Sequence, residues 1–397
     1  MRALQIDNPR ERALVRLADA LLTPLSWRPR RRRPVRRLLL LRLERIGDLL
    51  MTLEAIADVR RAWPEATIDL AVGSWNTPLA ALVPGIGTVH TVDVPWLSRG
   101  EQPTSWGAIV RAARGWRARQ YDMAINFEPD IRSNLLAWQS GAPMRVGYAS
   151  GGGGALLTHV GTYDPGQHVS DNARRLVALV APSPSSEADA APAGDTRRLV
   201  PAPADAARIT QMIAGRARPL IGVHPSGGRA SKQWHLDRFA AAARAVAAAT
   251  GGTVVLTGAS SDTEIVDTVR GLIGDVPVVS TAGLLNLPET AALVSRLDVL
   301  ITGDTGPMHL AAAMGAPVVA LFGPSDPVRY GPRARAERIL RVQLPCSPCG
   351  QVRLPPERCR GHVPDCMDGI TVDVVVRAAL DLLGSRAARQ DEADAAC

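Results

Sequence analysis

Short apolar runs alternate with segments of helical periodicity along most of this chain. The run from Leu38 to Leu43 reads as a buried strand, and 49–62 reads as a helix closed by Trp63-Pro64. Strands follow at 67–72 and 123–127, with a helix near 109–119 between them. A second series begins with a strand at 220–224, a helix at 236–250, a strand at 253–257 and a helix at 263–273. It continues with strands at 276–279, 299–302 and 317–322, and helices at 288–295 and 307–314.

Strands that alternate with helices imply right-handed crossovers and parallel sheets. Residues 183–203 are rich in Pro, Ala, Ser and Asp and read as a linker. The expected organisation is an N-terminal extension (1–37), a first α/β domain (38–182), a linker (183–205), a second α/β domain (206–383) and a tail (384–397). Two doubly wound domains would face a cleft, with ligands at the carboxyl ends of the strands.

The extension differs from the body. Residues 11–27 place Leu14, Leu17, Ala18, Leu21, Leu22 and Leu25 near helical spacing, and Arg-Pro-Arg-Arg-Arg-Arg-Pro follows Trp27. Residues 1–37 hold 11 Arg against Asp7, Glu11 and Asp19, so this segment carries the whole formal net charge of +8. An amphipathic helix beside a polybasic run suits an anionic membrane surface, here through residues 11–37. A solvated basic arm is the other reading. Nucleic acid is not expected as a partner, because the body has no basic excess and aromatics are only 4%. No apolar run is long enough to span a bilayer, and no signal-peptide pattern is visible. A cytoplasmic protein, peripheral at the inner face of the plasma membrane, is the expectation.

Lys232 is the chain's only lysine; every other member of its 46 Lys+Arg is arginine. It ends a Gly/Ser-rich turn after a strand, His224-Pro225-Ser226-Gly227-Gly228-Arg229-Ala230-Ser231-Lys232. Such turns let backbone N–H groups approach phosphate oxygens, and a lysine adds a point charge. In Thr302-Gly303-Asp304-Thr305-Gly306-Pro307-Met308-His309, a strand runs into a helix start that suits a diphosphate. Asp304 is expected to cap that helix or to bond sugar hydroxyls. In Arg42-Leu43-Glu44-Arg45-Ile46-Gly47-Asp48, Asp48 stands at another helix start, where it can cap or act as a general base. Metalloprotease, serine-hydrolase and dinucleotide motifs are absent.

Together, Arg45-Ile46-Gly47-Asp48, Pro225-Ser226-Gly227 through Lys232-Gln233-Trp234, and Asp304-Thr305-Gly306-Pro307-Met308-His309 resemble the motifs of glycosyltransferase family 9. That family contains the ADP-heptose:lipopolysaccharide heptosyltransferases. The similarity runs on through Phe322-Gly323-Pro324-Ser325-Asp326-Pro327, and the extension is not part of it. The resemblance implies a GT-B fold and an inverting, metal-independent transfer. It makes Asp48 the general base. It assigns an ADP-sugar donor to Ser226, Gly227, Ser231, Lys232, Asp304, Thr305, Gly306 and His309, with Glu264 near the nucleoside. A lipid-linked saccharide would be the acceptor, with Asp130, Arg132 and Ser133 as candidate contacts. A different donor or acceptor, or a non-catalytic sugar-nucleotide binder, are the alternatives.

Four cysteines fall late, at Cys346, Cys349, Cys359 and Cys366, with His362 among them. The spacing allows a structural zinc, which is an expectation to test, beside the reading of reduced structural thiols.

Overall fold

The computed structural model describes residues 4–6, 8–23, 34–97, 105–181 and 199–395. The chain divides into two compact units, 1–193 and 194–397. The linker expectation falls largely on residues 182–198, outside the described ones, as does most of the Arg-rich run at 24–33.

Unit 1 opens with helix α1 (Pro9–Leu22). Asn8 caps it, and its side chain accepts the amide of Arg10 at 3.0 Å. The parallel sheet then builds from β1 (Arg37–Leu41), α2 (Ile46–Ala62), β2 (Thr67–Val72), the short α3 (Thr77–Ala80) and β3 (Ile86–Thr91). It continues with α4 (Trp106–Gly115), β4 (Met123–Asn126), α5 (Ile131–Gln139), β5 (Met144–Tyr148), β6 (His159–Gly161) and α6 (Val169–Ala178). Strand order is β3-β2-β1-β4-β5-β6. Leu38–Leu41 are fully buried because β1 is central and covered on both faces, as parallel strands require. Leu39, Leu41 and Leu43 pack with Ala71, Val94, Trp116 and Leu136.

Unit 2 repeats the plan. Helix α7 (Pro203–Met212) leads into β7 (Leu220–His224), α8 (Leu236–Thr250), β8 (Thr253–Leu256), α9 (Thr263–Ile273), β9 (Val278–Ser280) and α10 (Leu287–Val294). Then come β10 (Val299–Gly303), α11 (Gly306–Met314), β11 (Val318–Leu321), α12 (Pro327–Tyr330), β12 (Glu337–Leu340), α13 (Asp365–Asp368) and α14 (Val372–Ala395). Its order is β12-β11-β10-β7-β8-β9. Trp234 anchors the core, edge-on to Phe239 at 4.9 Å, and donates its indole N–H to the Ile370 carbonyl at 3.1 Å.

In each unit the chain leaves the first strand to one side and returns to the other. The switch lies between β1 and β4 in unit 1 and between β7 and β10 in unit 2. Ligand crevices of open parallel sheets form at the carboxyl ends of such strands. The four segments that follow these strands are 42–48, 127–130, 225–232 and 304–306, and they carry most of the candidate chemistry.

Some sequence expectations shift. Helix α1 begins at Pro9, two residues before the expected start, and the expected stretch at 24–27 lies outside the described residues; α2 begins at Ile46, three residues earlier than its apolar pattern suggested. Strands β3, β5, β6 and β12 have no counterpart in the sequence reading.

Candidate functional site

In unit 1 the site is built around the turn from β1 into α2. Arg45 is the N-cap and Asp48 the third helical position. Asp48 Oδ2 accepts the Arg45 amide at 3.1 Å, and its other oxygen lies 3.5 Å from the Arg42 guanidinium. About a quarter of the Asp48 side chain stays open to solvent, at 27%. The carboxylate is therefore anchored from behind and exposed in front.

Arg42 is buried and spans the site. It pairs with Glu44 at 2.8 Å and donates to the Phe127 carbonyl at 2.8 Å and the Asp48 carbonyl at 3.2 Å. Burial works against its charge, but Glu44, Asp48 and Glu128 more than offset this, so the guanidinium stays charged. Glu128 follows β4 and is almost fully buried. Its Oε1 accepts the amides of Leu43 and Glu44, the latter at 3.1 Å, and so ties the turn between β1 and α2 to the neighbouring strand. Burial pushes Glu128 up to about 7, against the opposing pull of Arg42 and the Leu43 amide. Burial also raises Glu44, with Asp48 and Glu128 adding repulsion and Arg42 opposing. The Glu44 carbonyl accepts from the Trp75 indole at 2.7 Å and from Asn76 Nδ2 at 2.8 Å.

Asp130 caps α5 and accepts the Arg132 amide at 2.7 Å and its Nε at 2.9 Å. The Arg132 guanidinium lies 4.5 Å above the Trp96 ring. Ser133 is fully buried, and its hydroxyl donates to the Asp130 carbonyl at 3.0 Å. It supports the turn from inside, whereas Asp130 and Arg132 are part-exposed.

In unit 2, Gly227 is a position of close approach. A Cβ there would come within 2.7 Å of the Gln233 amide nitrogen, and the Gly227 N–H donates to Gln233 Oε1 at 2.7 Å. The turn is folded tightly enough to bring Lys232, the last residue of a 3-10 turn, onto the end of β10. Lys232 Nζ meets Asp304 Oδ2 at 2.5 Å and the Asp304 carbonyl at 3.1 Å. Asp304 is thus not the cap of α11: Thr305 occupies the N-cap, and its side chain makes no capping bond. The physical reason is the ion pair, which draws the Asp304 carboxylate toward Lys232. Gly306 starts α11 and Pro307 follows, leaving close backbone approach at a helix N-terminus. Ser226 is buried beside the turn, and Ser231 donates to the Val352 carbonyl at 3.1 Å. His309 is buried in the first turn of α11, and Glu264 is exposed in the first turn of α9.

The sequence reading did not single out Arg42, Glu128, Trp75 or Asn76 as site residues. Arg42 and Glu128 are joined through pairings across 85 residues that no local pattern carries.

The zinc expectation is not supported. Among the described residues, no group of three or more His, Cys, Asp or Glu is arranged to hold a metal ion. Cys346 and Cys349 are exposed, Cys359 is half-buried and Cys366 is buried. Cys366 packs with Met367 in the apolar core of unit 2, and burial pushes its thiol up to about 11, with the neighbouring cysteines adding to the shift. Among the described residues no helix is long and apolar enough to cross a membrane.

Comparisons with known proteins bear on this arrangement. The profile of "Glycosyltransferase family 9 (heptosyltransferase)" matches residues 109–356. That span includes the Lys232 and Asp304 turns and begins beyond Asp48. The lipopolysaccharide core heptosyltransferase OpsX of Haemophilus influenzae is 22% identical over 310 residues, covering 77% of this chain and 84% of that protein. Lipopolysaccharide heptosyltransferase 2 of Escherichia coli K12 is 24% identical, covering 75% and 85%. Among solved structures, Escherichia coli ADP-heptose lipopolysaccharide heptosyltransferase II superposes with a TM-score of 0.70 at 21% identity, covering 88% of this chain and 99% of that one. A family 9 glycosyltransferase from Veillonella parvula gives 0.71 at 23% identity, covering 88% and 97%. These likenesses establish the two-domain GT-B fold.

Proposed function

Because this chain belongs to glycosyltransferase family 9 and is a transferase, we propose that it moves a heptose from an ADP-sugar donor to a lipid-linked saccharide of the lipopolysaccharide core. The observation that carries this reading is the meeting of Lys232 with the start of α11 at the switch point of unit 2. An ammonium beside a helix N-terminus is a diphosphate site. Ser226, Gly227, Ser231, Thr305, Gly306 and His309 line or support it, and Glu264 is the nucleoside contact. Asp304 holds Lys232 in place and offers its carboxylate to sugar hydroxyls.

Asp48 of unit 1 is the base. It takes the proton from an acceptor hydroxyl as that oxygen attacks the anomeric carbon. The bond from the anomeric carbon to the ADP β-phosphate oxygen breaks in the same step, and configuration inverts. The charge that develops on the departing ADP is met by Lys232 and the α11 amides. This step draws on side chains and backbone alone and uses no cofactor. Arg42 steadies Asp48 and Glu44, while Asp130 and Arg132 present polar edges for the acceptor. The acceptor is anchored in a membrane, and residues 11–37 bring the enzyme to the anionic cytoplasmic surface.

The direct test supplies ADP-heptose and a truncated core lipid, with ADP release and product mass as readouts. A gain of one heptose with stoichiometric ADP is expected. Release of nucleotide from another sugar donor only, or from none, would overturn the assignment.

A further inference from the structure

Helix α1 has two faces with different surroundings. Val15, Ala18, Asp19 and Leu22 are half-buried. Val15 and Asp19 face a glycine loop at 151–154. Asp19 Oδ1 accepts the Gly153 amide at 2.6 Å, and a Cβ at Gly152 would lie 2.2 Å from Val15 Cγ1. Just before the helix, the Gln5 amide donates to the Ser150 carbonyl at 2.8 Å, and Gln5 Nε2 to the Tyr163 carbonyl at 3.1 Å. The glycine loop is seated on the start of α5. Gly151 leaves no room for a side chain, because a Cβ would fall 1.8 Å from the Pro129 carbonyl oxygen. The Gly151 carbonyl accepts the Ile131 amide at 3.2 Å, and Asn134 Nδ2 donates to the Gly152 carbonyl at 2.9 Å.

The other face carries Leu14, Leu17 and Leu21, which are 68%, 59% and 72% exposed. Spacings of three and four residues align them in one stripe. Single exposed leucines are ordinary, but an aligned stripe on a helix is not. Arg10 and Arg16 are exposed on the same helix, and arginines at 28, 30–33, 36 and 37 follow it. By sequence, residues 1–37 carry a net charge of +8, and two copies of so basic a segment repel each other, which opposes self-association through it. An anionic lipid surface answers both features: acyl chains for the leucines and phosphates for the arginines.

We infer that α1 is the lipid-facing plate of the acceptor unit, with Leu14, Leu17 and Leu21 entering the headgroup boundary of an anionic bilayer while Asp19 and Val15 latch the helix to the 151–154 loop. The plate sets the orientation of α5, and so of Asp130 and Arg132, to the surface in which the acceptor is embedded. The inference rests on the reading of residues 11–37 as a membrane-surface segment, and its test requires no sugar transfer.

The test uses the full chain with vesicles of phosphatidylcholine alone or mixed with phosphatidylglycerol. Co-sedimentation with the mixed vesicles is expected for the wild type and should weaken by at least about tenfold in L14S/L17S/L21S, because burial of the apolar face sets much of the affinity. The three leucines are exposed, so an unchanged melting temperature confirms that the variant is folded. Unaltered binding by the triple variant would overturn the inference, and so would no binding by the wild type. A lipid-free dimer that the triple substitution dissociates would overturn it too, by assigning the stripe to a second copy. The latch has its own readout. Amide exchange at Gly152 and Gly153 should slow when vesicles are added to the wild type, and should not slow in D19A bound to the same vesicles. Equal slowing in both, or in neither, would overturn the latch. Failure of heptose transfer with intact vesicle binding would count against the enzyme assignment alone.

Discussion

The Lys232 ammonium sits 2.5 Å from Asp304 Oδ2 and 3.1 Å from the Asp304 carbonyl, joining two turns that are 72 residues apart. The contact fixes the lysine at the end of β10 and leaves its charge beside the start of α11. It also makes Lys232 part of the fold as well as of the proposed donor site. The two contributions can be separated. Lys232→Met removes the partner of a carboxylate that is only 8% exposed, and should cost about 3 kcal/mol of stability. Lys232→Arg keeps the charge, so the melting temperature should hold, but the planar fork is a poor replacement for a point charge on a diphosphate. ADP affinity measured by calorimetry should then fall by roughly tenfold or more, on the order of 1.4 kcal/mol. Full ADP affinity in the arginine variant would remove Lys232 from the donor site.

Glu128 predicts a pH-dependent stability difference. Its folded pKa is raised to about 7 by burial, so below the ordinary carboxylate range it is neutral in both folded and unfolded chains. As pH rises from about 4.5 to 7, the unfolded chain loses this proton more readily than the folded one, and the wild type is destabilised. Glu128→Gln retains an oxygen for the Leu43 and Glu44 amides and cannot ionise. The melting temperature of the variant minus that of the wild type should therefore become more positive from pH 5 to pH 8. A constant or falling difference would show that Arg42 already holds Glu128 ionised.

The cysteines should behave as separate thiols. With its pKa near 11, Cys366 is thiolate on the order of one part in a thousand at pH 8, and it is buried as well. Alkylation followed by mass spectrometry should label the exposed Cys346 and Cys349 first and Cys366 last. Protein purified without chelator should contain far less than one zinc per chain. Stoichiometric zinc that protects all four thiols would restore the metal reading.

What the sequence disclosed follows the physics of burial. Central strands such as β1 are covered on both faces, so Leu38–Leu41 read as a continuous apolar run and are visible without a structure. Strand β3 lies at a sheet edge and mixes Gly87, Thr88, His90 and Thr91 with its apolar residues, and β6 is only three residues long. Neither leaves a periodic signal. The turns that carry Asp48, Lys232 and Asp304 were legible because Gly, Ser and an acid mark a strand-to-helix junction. The partners of those residues were not. Arg42 looks like an ordinary strand-end cation until Phe127 and Glu128 arrive beside it from β4. Asp304 has the composition of a cap and is diverted by a lysine that is distant in sequence.

Asp48→Asn asks whether Asp48 is the base. An amide oxygen can still accept the Arg45 N–H, and Arg42 keeps Glu44 and the Phe127 carbonyl, so the turn should stay folded. The amide cannot take a proton from a sugar hydroxyl. The measurement is turnover of ADP-heptose on the core acceptor, taken beside ADP affinity and melting temperature for the same preparation. The expected result is a loss of turnover of roughly 10²–10⁴-fold with affinity and melting temperature nearly unchanged. Wild-type turnover in the asparagine variant would contradict this role and leave Asp48 as the side chain that accepts the Arg45 amide at the start of α2.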